Sequence, residues 1–193
     1  SHQPADNTTT NNSNNGANPP NPSTDTPSAN GFISTTKSLN NTGDKALITA
    51  TGDIHLTANQ TKNTNQSSID AQTLNTKTLT NTDSKIALDD INWQLTSFDN
   101  SKGDISAKDG MVIDSESTIV NAGGSLTSGG DMTLIAKDNI INQGGSITAA
   151  KQADITAKEL QNGGRITADT LIITQQADYT HTDDDKLIAN NLT

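Results

Sequence analysis

The stretch that decides the fold is "NAGGSLTSGGDMTLIAKDNIINQGGSIT", residues Asn121–Thr148, because it nearly repeats itself. Its first half opens with NAGGSLT, and NQGGSIT follows 21 residues later, starting at Asn142. A looser third copy, QNGGRIT, occupies Gln161–Thr167. Self-similarity at a period of about twenty residues indicates a repeat architecture in which each copy is one structural unit.

An "I-x-A" phrase sets the register of this repeat over most of the chain. Its first residue recurs at steps of 21, 17, 19, 21, 21, 19 and 21 residues. The positions are Ile48, Ile69, Ile86, Ile105, Leu126, Ile147, Ile166 and Leu187. Each unit holds three short apolar–polar alternations, which are typical of strands with one buried face. We therefore expect an all-β fold, a right-handed parallel β-helix with three sides and about seven coils, in which these residues stack as an inner aliphatic column.

Another apolar site in each unit is followed two positions later by an asparagine. The asparagines concerned are Asn81, Asn100, Asn121, Asn142 and Asn162. Stacked amides can hydrogen-bond from one coil to the next, so we expect these five to form a structural ladder. His181 takes the corresponding place in the last full coil, where we expect it to end the ladder. Glycine pairs follow several of the asparagines and are expected to supply the positive φ angles of tight corners.

The chain divides into a linker and a repeat region. Residues 1–31 hold all five prolines and only three hydrophobic residues, all alanine. Such a segment cannot bury enough surface to become ordered, so we expect a low-complexity tether. We expect residues 32–46 to form a cap or lead-in strand and residues 47–193 to form the β-helix. The first residue is not Met and no cap is visible at Thr193, so we expect a longer parent protein and end-to-end self-association through a bare strand edge.

Composition excludes several classes of partner and chemistry. The net charge of −10 disfavours nucleic acid and anionic membrane surfaces. No apolar stretch is long enough to span a bilayer. The absence of cysteine removes disulfides, thiolate catalysis and cysteine metal sites. Neither a calcium-binding nonapeptide repeat nor an EF-hand loop is present, so we expect no metal and no cofactor.

Acidic clusters raise the question of catalysis, because polysaccharide-cleaving enzymes use pairs of carboxylates. The candidates are the pair Asp89–Asp90, the single residue Asp99 and the run Asp183–Asp185. However, adjacent carboxylates on a corner are more often a solvated turn. Coils of 17–21 residues also leave little chain for the loops that would build a catalytic groove. We therefore expect that the protein is not an enzyme.

The units between Ser67 and Asp99 depart from the rest of the repeat. They lack the glycine pair, include the 17-residue step and hold the only tryptophan. Trp93 and Phe98 align with inward-facing positions of later coils, which favours a role as core residues. The alternative is that they form, with the neighbouring Asp89 and Asp90, a patch that binds a receptor or glycan, because aromatic residues often anchor interfaces.

Three segments together resemble a known family. They are "NAGGSLTSGGDMTLIAKDNIINQGGSITA", "ELQNGGRITADTLIIT" and "ADYTHTDDDKLIANNLT". They are similar to the repeats of filamentous haemagglutinin and of related two-partner-secretion exoproteins, including contact-dependent growth inhibition toxins. The similarity covers roughly Leu39 to Thr193 and is clearest after Gly103. The units between Ser67 and Asp99 fit the pattern least well.

The resemblance implies a Gram-negative source, a location outside the cell or on its surface, and an outer-membrane two-partner-secretion transporter as partner. It also implies the function that we expect first, a structural shaft segment of an adhesin or toxin-delivery protein. A second hypothesis is a module within such a stalk that binds a target-cell receptor or glycan. A third is a β-helical enzyme that cleaves polysaccharides.

Overall fold

The computed structural model describes residues 32–49, 54–179 and 182–193. The predicted tether over residues 1–31 and the predicted ladder end at His181 lie outside the described residues. Within them the chain forms 21 strands and no helix, which confirms the all-β prediction. Accordingly, no helix of the described segments could cross a membrane.

The strands form three parallel sheets, named A, B and C here. Sheet A contains β1 (Phe32–Thr42), β3 (Ile54–Thr64), β5 (Thr73–Thr82), β8 (Ser97–Asp99), β11 (Ile119–Val120), β14 (Asn139–Ile141) and β17 (Glu159–Gln161). Sheet B contains β2 (Leu47–Ile48), β4 (Ser68–Asp70), β6 (Lys85–Leu88), β9 (Asp104–Ala107), β12 (Ser125–Ser128), β15 (Ser146–Ala149), β18 (Arg165–Thr167) and β20 (Lys186–Ile188). Sheet C contains β7 (Ile91–Leu95), β10 (Met111–Ser115), β13 (Met132–Ala136), β16 (Gln152–Ala157), β19 (Thr170–Gln175) and β21 (Asn191–Leu192).

The chain winds through these sheets as a three-sided solenoid. From β6 to β19 it visits sheets B, C and A in turn, and each strand pairs in parallel with the strand one coil later. The predicted stack of about seven coils is therefore confirmed. Residues 32–46 begin this stack, because β1 pairs with β3 along nearly its whole length.

The predicted aliphatic column runs along the inside of sheet B. Strand pairing places its eight members directly above one another, from Ile48 to Leu187. The six members from Ile69 to Ile166 are buried, and the two end members are partly buried. A second inner column lines sheet A and includes Leu79, Phe98, Ile119, Ile140 and Leu160. Because equivalent side chains of successive coils stack on one another, they fill a narrow interior without much aromatic volume.

The first coils follow a different path. Strands β3 and β5 are 11 and 10 residues long. Each is a single bent strand in the place where later coils have two shorter strands, one in sheet C and one in sheet A. The alternation of buried and exposed residues in β3 shifts by one at Asn59–Gln60, which marks the bend. Sheet C therefore begins only at β7, and Ile54 and Leu56 belong to sheet A rather than to the sheet of Trp93. Only β5 lies in the coil of 17 residues, between Ile69 and Ile86, whereas β3 lies in a coil of 21 residues, so a short coil is not required for a continuous strand.

The inner column makes a direct stability prediction. Replacing Ile147, which is fully buried, by alanine should lower the free energy of unfolding by about 2–5 kcal/mol, because it leaves a cavity between the stacked Leu126 and Ile166. The neighbouring Thr148 faces outward, so Thr148→Ala should cost less than about 1 kcal/mol. Urea unfolding followed by far-ultraviolet circular dichroism checks both. Equal losses in the two variants would contradict the assigned inward and outward faces.

Candidate functional site

Buried asparagine amides form a continuous hydrogen-bonded row along the solenoid, here called the asparagine ladder. Its members are Asn41, Asn63, Asn81, Asn100, Asn121, Asn142 and Asn162. The Nδ2 atom of each of the first six donates to the Oδ1 atom of the next, at 2.7–2.8 Å. No member is more than 6% exposed. The ladder contains all five asparagines predicted from the sequence.

Sequence reasoning missed the first two members. The spacing pattern did not predict Asn63, because Thr61 takes the place of the apolar residue that precedes each later asparagine by two positions. Asn41 does follow an apolar residue, Leu39, in this way, but it lies in the segment that was interpreted as a cap or lead-in. The spacing rule would have found Asn41 if it had been carried into that segment.

Four of the seven ladder amides also join the corner of their own coil to the next coil. The Nδ2 atom of Asn100 lies 3.0 Å from the carbonyl oxygen of Gly103 in its own corner and 3.0 Å from that of Ser125 one coil later. Asn121 repeats this pattern with Gly124 at 3.3 Å and Ser146 at 3.1 Å. These bonds satisfy amide hydrogens and corner carbonyls that would otherwise be buried without partners.

The ladder needs small residues beside it. A Cβ atom built on Gly124 would lie 2.1 Å from the carbonyl oxygen of Asn100, and one built on Gly145 would lie 2.2 Å from that of Asn121. In the N-terminal coils a serine takes this place, and the Oγ atom of Ser67 donates to the Oδ1 atom of Asn63 at 2.8 Å. These positions form a column from Ser67 through Ser84, Gly103, Gly124 and Gly145 to Gly164, called the small-residue column.

The glycine pairs therefore have two roles, and the sequence prediction captured only one. In the pairs after Asn121 and Asn142 the positive φ angle belongs to the first glycine, with +63° at both Gly123 and Gly144. Lys102 adopts φ of 57° at the place of Gly123, so this role does not strictly require glycine. The second glycine, such as Gly124, is required by the close approach of the preceding coil.

Paired substitutions separate these two roles. Gly124→Ala should lower the free energy of unfolding by more than about 2 kcal/mol, because its methyl group collides with backbone of the coil before it. Gly123→Asn should cost about 1 kcal/mol or less, because asparagine tolerates a positive φ and an added Cβ atom would make only an ordinary contact, 3.6 Å from the Lys102 side chain. Thermal unfolding of the two variants tests this order. The reverse order would refute the assignment.

Removing one ladder amide should be far more costly than removing an exposed asparagine. Asn121→Ala removes one acceptor of the buried Asn100 amide and the ladder donor of the buried Asn142 side-chain carbonyl group. We expect a loss of about 2–4 kcal/mol in the free energy of unfolding. Asn92 is exposed in sheet C, and Asn92→Ala should change stability by less than about 0.5 kcal/mol. Urea unfolding checks the comparison, which fails if the two losses are similar.

Among the described residues, Tyr179 and Asp185 lie next to the ladder beyond Asn162. The hydroxyl oxygen of Tyr179 and the Oδ1 atom of Asp185 are both buried, and the tyrosine hydroxyl interacts with the Asn162 and Asp185 side chains. Burial raises the pKa of Tyr179, and the negative charge of Asp185 raises it further, while donation from Asn162 acts in the opposite direction. Asp185 is only 6% exposed, and its Oδ2 atom accepts from the backbone nitrogen of Thr182 at 2.8 Å.

Trp93 and Phe98 do not form a surface patch. Each is only 2% exposed, and their ring centroids lie 6.4 Å apart inside the solenoid. The indole nitrogen of Trp93 donates to the carbonyl oxygen of Leu74, a group of β5 at the point where sheet C begins. The interpretation of these two residues as partner-binding anchors is therefore corrected: a buried ring offers a partner no surface, and the indole instead closes the irregular N-terminal coils.

Asp89 borders an open groove, whereas Asp90 is exposed outside it. The groove has a volume of about 280 Å³ and lies where three successive coils leave sheet B. Its polar lining consists of Asp70, Gln72, Asp89, Ser106 and Lys108, and no aromatic side chain takes part. The Gln72 side chain is already engaged, because its Oε1 atom accepts from the backbone nitrogen of Ile54. The groove could accept a polar ligand, but nothing in its lining selects one.

The other acidic residues considered for chemistry are separated from one another. Asp99 accepts from the backbone nitrogen and the hydroxyl of Ser101, at 2.9 and 2.6 Å, so it stabilises its own corner. Asp183 and Asp184 are exposed, unlike Asp185. Over the part of the chain that the structure describes, no three metal-ligating side chains come together.

Comparison of the chain with protein-family models, with curated proteins and with solved structures finds no match. The geometry of the solenoid and the repeat motifs are therefore the basis for proposing a function.

Proposed function

We propose that this solenoid is a structural section of the shaft of a secreted, cell-surface adhesin or toxin-delivery protein, which projects a binding or effector region toward a target cell. The observation that supports the proposal is the continuity of the stack. The asparagine ladder and the inner columns pass from coil to coil between Asn41 and Asn162, and coil lengths vary by only a few residues. An uninterrupted stack resists bending and can be lengthened by adding further coils of the same kind.

The way in which the coils are held together suits export. Backbone pairing and ladder bonds join neighbouring coils, so a coil can fold on the one before it as the chain emerges from a pore. Folding of this kind could draw the chain outward without ATP. An outer-membrane two-partner-secretion transporter and a Gram-negative cell surface complete the proposal, and both follow from the resemblance of the repeats. The proposal assigns the rod no catalytic step.

A second candidate function is binding of a receptor or glycan by the shaft itself. The observation in its favour is the groove beside Asp89, which carries the carboxylates of Asp70 and Asp89 and the ammonium group of Lys108. Carboxylates can accept hydrogen bonds from sugar hydroxyls, but the groove lacks the aromatic side chain on which sugar rings often stack. The shaft function therefore has the stronger support.

Deletion of one whole coil tests the structural role. Removing Ser125–Gly145 joins Gly124 to Ser146. Gly124 occupies the same place in its coil as Gly145 in the next, and Ser125 the same place as Ser146, so the new junction keeps the register. Asn121 would then bond to Asn162, and the rod should remain folded and shorten by about 4.8 Å. Circular dichroism and small-angle X-ray scattering measure both effects. Deletion of residues 125–134 alone removes half a coil and should unfold its surroundings, so tolerance of both deletions would contradict the coil register.

A binding assay decides between the two candidates. The labelled protein is incubated with intact Gram-negative bacteria and with epithelial cells, beside a variant in which the groove residues Asp70 and Asp89 are replaced by asparagine. The shaft function predicts background binding for both proteins. Saturable binding that the folded variant loses would contradict the shaft function and identify the groove as a binding site.

A further inference from the structure

We propose that Tyr179 and Asp185 form a clasp that ends the asparagine ladder and holds β20 and β21 onto the coil of Asn162. The clasp is defined by these two residues. It concerns the internal architecture of the solenoid and goes beyond the proposed shaft function, on which it does not rest.

The direction of the ladder creates the need for such an end. All six amide–amide bonds run the same way, with the earlier asparagine donating and the later one accepting. Asn162 accepts from Asn142 at 2.7 Å, so its own amide hydrogens must find acceptors farther along the chain. The carbonyl oxygen of Gly164, at 3.3 Å, provides one. Bonds aligned in one direction polarise one another, which makes an unmatched last donor costly.

Tyr179 and Asp185 supply the remaining acceptor chemistry. A tyrosine hydroxyl can accept one hydrogen bond and donate another, whereas an ionised carboxylate only accepts. The order Asn162 to Tyr179 to Asp185 therefore continues the direction of the ladder and finishes it on a group that has no hydrogen to pass on. Hydrogen bonds that end on a charged group are also stronger than those between neutral groups.

The placement of Asp185 shows that this carboxylate is not an ordinary surface group. The backbone nitrogen of Lys186 donates to the carbonyl oxygen of Gly164 at 2.9 Å, just as that of Arg165 donates to Gly145. Asp185 therefore follows Gly164 in the small-residue column, where the preceding coils carry only glycine, serine or, in the first coil, alanine. It is buried while Asp183 and Asp184 beside it are exposed. A buried carboxylate is tolerated only when it is hydrogen-bonded.

The clasp should control how readily the last described coil opens. Strand β20 has only three residues and β21 only two, and their side chains are mostly exposed, so backbone pairing alone holds them weakly. Breaking the clasp should therefore release these two strands and leave earlier coils closed.

Titration of the tyrosine tests the contact between the two clasp residues, because Tyr179 is the only tyrosine and the whole tyrosinate signal comes from it. The rise in tyrosinate absorbance should have its midpoint above 10.0, the ordinary pKa of tyrosine. Asp185→Asn removes the neighbouring charge and should move the midpoint down toward that value, while Asp184→Asn should leave it nearly unchanged. In the folded state the neutral tyrosine is favoured, so its contribution to stability is complete below pH 10.0 and is lost as pH rises through the folded pKa.

Hydrogen exchange tests the structural consequence in the full chain. In Asp185→Asn, and in Tyr179→Phe, which keeps the ring, amides of β20 and β21 should exchange about tenfold faster or more, while those of β12 and β15 stay unchanged. The double variant should exchange no faster than the single ones, because both substitutions break the same chain of bonds. The clasp is overturned if Asp185→Asn and Asp184→Asn behave alike in either experiment, or if the two clasp substitutions act additively.

Discussion

A buried amide that reaches from one coil to the next is the interaction on which the rest of this structure depends. The Nδ2 atom of a ladder asparagine has to lie 2.7–2.8 Å from the Oδ1 atom of the asparagine in the following coil, which keeps the stacked corners in strict register. That closeness leaves no room for a Cβ atom at Gly124 or Gly145. The repeated asparagine and the glycine after it are thus two parts of one constraint, and the period of the sequence follows from it.

The same constraint explains how a chain with 2% aromatic residues builds a core. When coils are held in register, equivalent aliphatic residues lie above one another, and each is covered by its neighbours in the stack. Large rings are needed only where the register is imperfect. The N-terminal coils, with their bent strands and a 17-residue step, are such a place, and Trp93 lies there with its indole nitrogen bonded to the backbone of β5.

A solenoid of this kind has a direction as well as a length. The ladder donates from the N-terminal side toward the C-terminal side at each of its six amide–amide bonds, so a folded coil presents donors to the coil that comes next. This polarity supports the proposal that the rod folds in one direction during export. It also requires an acceptor at the far end, which Tyr179 and Asp185 are placed to provide.

The sequence by itself determined the solenoid, its coil register, the aliphatic column and five of the seven ladder asparagines, because a repeat forces equivalent residues into equivalent places. Only the tertiary structure decided what happens where the repeat is broken. Asn63 joins the ladder despite the threonine before it, and Asp185, but not Asp184, lies in the small-residue column. For Trp93 and Phe98 the structure confirms the core role that their alignment favours over a surface patch. The physical reason is that residues outside the repeat take their surroundings from the coils above and below them, and a single pass along the chain does not reveal those neighbours.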